Sequence, residues 1–316
     1  MDKMSNGLVS IIIVTAGHRH YLKSLLDSLE KQTSPVSETL IINNSPDVIT
    51  TPRWARVYNT GSNMFYCQAL NLGIRESNGE FILCLNDDVE LERDFIKQAE
   101  KGFFIDSRIG MVSGKILRSD KATLDSTGLF LSVWLTARER GYGALDRGRF
   151  EREEYVFGVN GAVAFYRRKM MEDLRIGSTY FDEDYRIFYE DLDIAWRAKN
   201  RGWRGYYMPK AIAFHVRGAT VRAGEGLAKP FARRYLSDEL HLDLLKNRYL
   251  TIAKNISFAG ILLRFPFVLI YEVLNWSYVL FFRRKIIKKI PFMLKCLGAA
   301  FEKRKVIRDI CLGRKK

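Results

Sequence analysis

Residues 80–88 read EFILCLNDD, an unbroken apolar run from Phe81 to Leu85 that stops on Asn86, Asp87 and Asp88. A run with no polar alternation fits a strand covered on both faces, as in a parallel sheet, and the polar triplet is turn chemistry. Upstream, Leu8–Val14 (LVSIIIV) is a second such strand. Thr39–Ile42 is a third and ends in Asn43-Asn44-Ser45-Pro46-Asp47. Between these runs Tyr21, Leu22, Leu25, Leu26 and Leu29 recur at helical spacing, and a further helical stretch surrounds residues 68–76. Alternating strands and helices predict an α/β domain with a doubly wound, mostly parallel sheet. Ligands of such sheets sit beyond the carboxyl ends of the strands, where Thr15, Asn43 and Asp87 all fall.

Downstream of this core, residues 119–160 are rich in Arg, Gly and aromatics and predict an irregular excursion over the site. Regular structure resumes after Phe181, with a helix over about 191–200 and a short strand ending near His215. Halves 1–118 and 119–220 would form one catalytic domain, followed by a helical region, 221–316.

The chain has 316 residues, 47% hydrophobic and 28% charged, which excludes disorder and leaves ample core. Four scattered cysteines form no CxxC pair and argue against a disulfide framework or structural zinc. No leader pattern is read at the start, so a cytoplasmic location is expected. The net charge of +15 asks for an anionic partner: nucleic acid, a membrane surface or a phosphorylated substrate. It is unevenly placed, since residues 283–316 carry +11 and residues 1–282 only +4.

Three groups of residues suit chemistry. Asp87 and Asp88 at a strand end are oxygen ligands for a hard divalent cation, or alternatively an acidic loop before the next helix. The acids among aromatics from Phe181 to Asp193 include candidates for a desolvated general base, although acids also favour a helix start through its dipole. His215 closes the apolar stretch 211–214 and reads either as a ligand or as a packed core histidine. His18 and His20, just past the first strand, face phosphate or solvent.

In this order and spacing the motifs resemble the family 2 glycosyltransferases of GT-A fold, inverting enzymes that use nucleotide-diphosphate sugars. The resemblance covers about residues 8–217. It rests on Val9–Val14 with Thr15, Ser28-Leu29 with Gln32, Asn59-Thr60-Gly61, Asn71-Leu72-Gly73, Leu85–Asp88, Asp106–Gly110, Gly161-Ala162, Phe181-Asp182-Glu183, and Glu190-Asp191-Leu192-Asp193, followed by Arg197, Gly202, Pro209-Lys210-Ala211 and His215. It implies a divalent metal, Mg²⁺ or Mn²⁺, bound by Asp88 and His215, with Asp191 as catalytic base. Asp87 would contact the ribose, with Thr15, Asn43, Asn71 and Asn86 also on the nucleotide-sugar side. Gly161, Glu190, Asp193 and Arg197 would line the acceptor side or support the base. The sequence departs from the family where Asn43 replaces the usual nucleobase-reading aspartate and Asn86 replaces the first acid of the D-x-D. Arg140-Gly141-Tyr142-Gly143, followed by Asp146-Arg147-Gly148, resembles rhamnosyl- and galactofuranosyltransferase-like members. That points to dTDP-rhamnose as first donor, a UDP-sugar as second, and a lipid-linked glycan acceptor in surface polysaccharide or O-antigen synthesis.

Residues 256–282 include only Arg264 and Glu272 as charges and are long enough to cross a bilayer. At ~100° per residue, Ser257, Arg264, Glu272 and Asn275 fall within an arc of about 80°. An amphipathic helix lying in the interface accounts for that arc; a single span and a helix packed on its own domain or in a homo-oligomer are the alternatives. With the basic run behind it, this predicts peripheral attachment to an anionic, cytoplasm-facing inner or plasma membrane. Two other functions are disfavoured. A sugar nucleotidyltransferase would carry a glycine-rich phosphate loop where this chain has Thr15–Arg19. A nucleic-acid-binding module would interleave its basic residues with exposed aromatics, so no nucleic-acid partner is expected.

Overall fold

The computed structural model of the chain describes residues 8–217 and 236–311. The boundary expected at 220/221 lies outside the described residues, as do the basic residues Arg314, Lys315 and Lys316. The first half runs β1 (Val9–Thr15), α1 (Arg19–Glu30), β2 (Glu38–Asn43), β3 (Ala55–Asn59), α2 (Tyr66–Arg75), β4 (Phe81–Asn86), β5 (Val89–Leu91), α3 (Phe95–Glu100) and β6 (Ile109–Arg118). The excursion contains short strands β7 (Leu124–Ser126), β8 (Leu129–Leu131), β9 (Ala137–Glu139) and β10 (Glu154–Val156). Then follow β11 (Val163–Arg167), α4 (Arg168–Asp173), α5 (Glu190–Asn200) and β12 (Arg204–His215), and three helices: α6 (Asp238–Asn255), α7 (Phe258–Phe282) and α8 (Ile290–Cys311).

The main sheet has the order β10-β12-β6-β11-β4-β1-β2-β3, with β5 added to β12 and β7 to β6. The β4-β1-β2-β3 block is parallel, and the continuous apolar runs of β4, β1 and β2 fit strands covered on both faces; β11 enters antiparallel between β4 and β6. Alternation along β1 sorts the two cores. Ile11 and Ile13 join α1 and α3, whereas Ile12 and Val14 join α2, α5 and part of α6. Gly73 allows α2 to press on β1, because a Cβ there would stand 2.4 Å from Ile12 Cγ2. Two expectations change: β3 is an additional edge strand, and β12 is twelve residues long, bent by a register shift between Met208 and Ile212.

Half of the polar arc of α7 is corrected: Glu272 accepts from Arg248 and from the Tyr249 hydroxyl of α6, and Asn275 is buried, whereas Ser257 is exposed and Arg264 donates to Gly260 O of its own helix. The apolar remainder is exposed, with Phe258 82%, Leu263 74% and Phe282 71% accessible. The basic tail is partly internal as well. Lys303 pairs with Asp182 and Asp184, Arg304 donates to the carbonyls of Ala253 and Ile256, and Arg283 pairs with Asp238. Arg284, Lys285, Lys288 and Lys289 stay exposed beside the end of α7.

Candidate active site

β4 ends at Asn86, and Asp87 and Asp88 form the turn into β5. β5 pairs with the end of β12 in the register His215↔Val89, so His215 arrives beside Asp88. Its Nε2 lies 3.4 Å from Asp88 Oδ1, while Nδ1 lies 2.9 Å from Asp125 Oδ2 in β7. A carboxylate on one ring nitrogen fixes the tautomer and aims the other nitrogen, the arrangement that supports a histidine metal ligand. Burial opposes protonation of the ring, but its bonds to Asp125 and Asp88 push the His215 pKa up to about 9. Burial would raise Asp125, yet His215 and Arg217 hold it below the usual carboxylate range. Arg217 reaches Asp125 from a left-handed backbone, φ 61°, and its guanidinium lies over the Tyr142 ring at 4.7 Å.

One donor strand away, Thr15 Oγ1 donates to Asp87 Oδ2 at 2.6 Å. Burial pushes Asp87 up against that bond. His18 Nδ1 lies 3.5 Å from the same carboxylate. Among the described residues no group of three His, Cys, Asp or Glu is placed to hold a metal. A cation here would find two protein ligands, Asp88 and His215, with water and substrate oxygens completing its shell.

The second carboxylate group surrounds Asp191 in the first turn of α5. Asp191 Oδ1 accepts from Leu192 N at 2.7 Å and Oδ2 from Gly161 N at 3.3 Å. Burial raises its pKa against those two bonds. Burial and the Asp191 charge push Glu190 up to about 8. Glu139 is also pushed to about 8, by burial and then by Asp191; it accepts from Ser126 and, at 2.8 Å, from Asn160. Asn160 in turn holds Ala162 N at 2.9 Å, fixing the 160–162 turn whose Gly161 amide touches Asp191. The chain enters α5 through Phe188 and Tyr189, both at φ 71°. Left-handed non-glycine residues cost ~1–3 kcal/mol each and persist only where their surroundings fix them.

A family model described as "Glycosyltransferase like family 2" matches residues 6–235. The chain belongs to the family 2 glycosyltransferases. Poly-beta-1,6-N-acetyl-D-glucosamine synthase of Staphylococcus aureus is 23% identical over 150 residues, 46% of this chain and 32% of that protein. The chain thus spans about a third of the length of the curated relatives it matches. Among solved structures, GalNAc-T7 with UDP, GalNAc and Mn²⁺ superposes with TM-score 0.57 at 13% identity, over 79% of this chain and 48% of that one. S. aureus TarS gives 0.55 at 14%, over 96% and 52%. The Pyrobaculum calidifontis mannosyltransferase PcManGT with GDP-Man and Mn²⁺ gives 0.53 at 15%, over 95% and 75%. These likenesses show the GT-A-like fold.

Within this glycosyltransferase, Thr15, Asp87, Asp88 and His215 gather at the strand ends, and Gly161, Glu190 and Asp191 form the neighbouring acidic group. Asn86 Oδ1 accepts from the Tyr66 hydroxyl at 2.8 Å. Asn43 and Asn71, expected on the nucleotide-sugar side, are bonded within the protein. The Asn43 amide donates to Asp47 O and Asn59 Oδ1 and accepts from Ser45. Asn71 donates to Phe181 O and Glu183 and accepts from the amides of Tyr180 and Phe181. Asp193 and Arg197 form a buried pair 3.0 Å apart that supports α5 from within. Sequence reasoning missed Asp125, Glu139, Asn160 and Arg217. Asp125 lies 90 positions from His215, so no local spacing connects them, whereas Arg217 stands two residues past His215 and was within reach of inspection.

Proposed function

We propose that this chain transfers a sugar from a nucleoside-diphosphate donor to an acceptor hydroxyl in one inverting displacement. The observation that carries the reading is the His215 ring, fixed by Asp125 and aimed at Asp88 across 3.4 Å. Asp88 and His215 would hold a divalent cation, whose chemistry when bound would be to neutralise charge on the departing diphosphate. Two of the structurally similar enzymes were solved with Mn²⁺ and with UDP or GDP-Man, which supports such a donor and cation here. Asp191 accepts the acceptor's hydroxyl proton while that oxygen bonds to the anomeric carbon and the carbon–diphosphate bond breaks. Its desolvated carboxylate, raised in pKa, is the stronger base for it. Asp87, braced by Thr15, faces the ribose. The first donor is dTDP-rhamnose and the second a UDP-sugar such as UDP-galactofuranose; the acceptor is a lipid-linked glycan of surface polysaccharide synthesis.

The same reading places the protein on the cytoplasmic membrane surface. α7 is long and apolar enough to cross a membrane by length and composition, and none of its most apolar window is buried in the protein. With Glu272 bound to α6, the exposed side suits the acyl boundary, and Lys285, Lys288 and Lys289 suit anionic headgroups. Replacing Leu262, Leu263 and Phe281 by serine is expected to release the protein from anionic vesicles; unchanged sedimentation would remove the membrane from the reading.

A thermal-shift screen of UDP-, dTDP- and GDP-sugars with Mn²⁺ identifies the donor. Asp191→Asn is then expected to lower transfer by ~10²–10⁴ and leave nucleotide binding intact. Transfer within tenfold of wild type would refute the role of Asp191.

A further inference from the structure

α6 carries Asp243, Asn247, Thr251 and Lys254 at spacings of three and four, so the four share one helix face. All four are buried. Each meets the segment that leads into Asp191. Asp243 accepts from Arg186 at 2.8 and 2.9 Å, Thr251 lies 2.8 Å from the Tyr185 hydroxyl, and Lys254 pairs with Asp182 and Asp193. Lys246, beside this row, donates to Asp184 O at 2.5 Å.

Asn247 makes the contact on the turn itself. Its Nδ2 donates to Ile187 O at 2.8 Å and to Phe188 O at 2.9 Å. Two carbonyls require the NH₂ end of the amide, so the orientation of the side chain is dictated by its partners. Its Oδ1 is buried without a partner among the described residues. The amide thus gives up its acceptor to hold both carbonyls. Those carbonyls flank Phe188, which with Tyr189 forms the left-handed pair that turns the chain into α5. Neither position is glycine, so the turn depends on outside support.

We infer that Asn247 is a positioning residue: by capturing the carbonyls of Ile187 and Phe188 it fixes the Phe188–Tyr189 turn and, through it, the Asp191 carboxylate. This rests on the reading of Asp191 as the base. α6 lies beyond the region matched by the family model, so the support comes from the C-terminal helices rather than from the transferase core. The other side of α6 supplies a control, because Leu245 packs on Val279, Ile286 and Met293 and not on the turn.

The test uses the full chain and compares wild type, Asn247→Ala and Leu245→Ala. Amide hydrogen exchange is followed over residues 186–193, and turnover as dTDP released from dTDP-rhamnose, or UDP from UDP-galactofuranose if the screen selects it. Asn247→Ala is expected to accelerate exchange in that segment and to lower kcat by ~10² with donor KM unchanged, the penalty of a misplaced catalytic group. Leu245→Ala is expected to lower the melting temperature with kcat per folded molecule unchanged. If Asn247→Ala does not accumulate as folded protein, Asn247→Ser carries the same prediction with a smaller effect. Full kcat or unchanged exchange over 186–193 in the Asn247 variant overturns the inference, as does a loss that merely tracks the folded fraction. Asp191→Asn run alongside separates the two ideas. Its retention of transfer overturns the base, whereas its inactivity beside a fully active Asn247→Ala overturns the positioning role alone.

Discussion

The two carboxylate groups at the mouth of the sheet are held by different means. Asp88, His215 and Asp125 sit at the ends of β-strands, and sheet register brings them together: His215↔Val89 along β5 and Ile116↔Ser126 beside Asp125. Asp191 instead follows a strained turn held mainly by buried side chains of α6, with α8 adding Lys303 on Asp182. The first group is a product of backbone pairing and lies wholly inside the matched family region. The second depends on helices outside that region. Backbone pairing thus assembles the first group by itself, whereas the turn before Asp191 is bonded from an added segment, the one that also carries the exposed apolar helix.

Removing the buried lysine behind the Asp191 group should have the largest effect. Lys254 is fully buried and serves both Asp182 and Asp193, and Asp182 is held well below the usual carboxylate range because Lys254 and Lys303 outweigh the burial that would raise it. Lys254→Met should destabilise the protein by ~3–5 kcal/mol, the penalty of leaving buried charge unpaired. Thermal melting would show it, and a change below about 1 kcal/mol would mean that the α6 contact behaves like a surface pair.

Asp125→Ala should act on the other side alone. Freeing the His215 ring is expected to weaken Mn²⁺ affinity by ~10–100-fold, measured by titration calorimetry, with exchange over residues 186–193 unchanged. Loosening of that segment would show that the two groups are not independent.

The smallest effect concerns Glu139, whose pKa of about 8 lies above its ordinary value through burial and the nearby Asp191. The folded state then binds more protons than the unfolded one between about pH 4.5 and pH 8, so this residue lowers stability as pH rises through that window. Glu139→Gln should flatten the decline and stabilise the protein at pH 8 relative to its effect at pH 5. A variant whose stability runs parallel to wild type across that range would contradict the assignment.

The sheet was legible because buried parallel strands are written as continuous apolar runs, so β1, β2 and β4 were found within a residue or two. β3 was missed since its edge position leaves it half-exposed and mixed in polarity. Asp88, Asp191 and His215 stood out as candidates through ordered short motifs, and the fold brings Asp88 and His215 together. Asp125 and Asn247 were not legible, because their partners are 59 to 92 positions away and neither stands out locally. Of the polar arc of α7, expected to face water, Glu272 and Asn275 turn inward instead. A stripe read from one helix does not say whether water or another helix faces it, and here the answer lay in Arg248 and Tyr249 of α6.

The central claim is a single inverting displacement at the Asp88–His215 mouth with Asp191 as base. NMR of the product formed with the donor selected by the screen tests it most directly. The account predicts an anomeric configuration opposite to that of the donor, with one free nucleoside diphosphate released per bond formed. A product that keeps the donor's configuration, or the release of pyrophosphate, would contradict it.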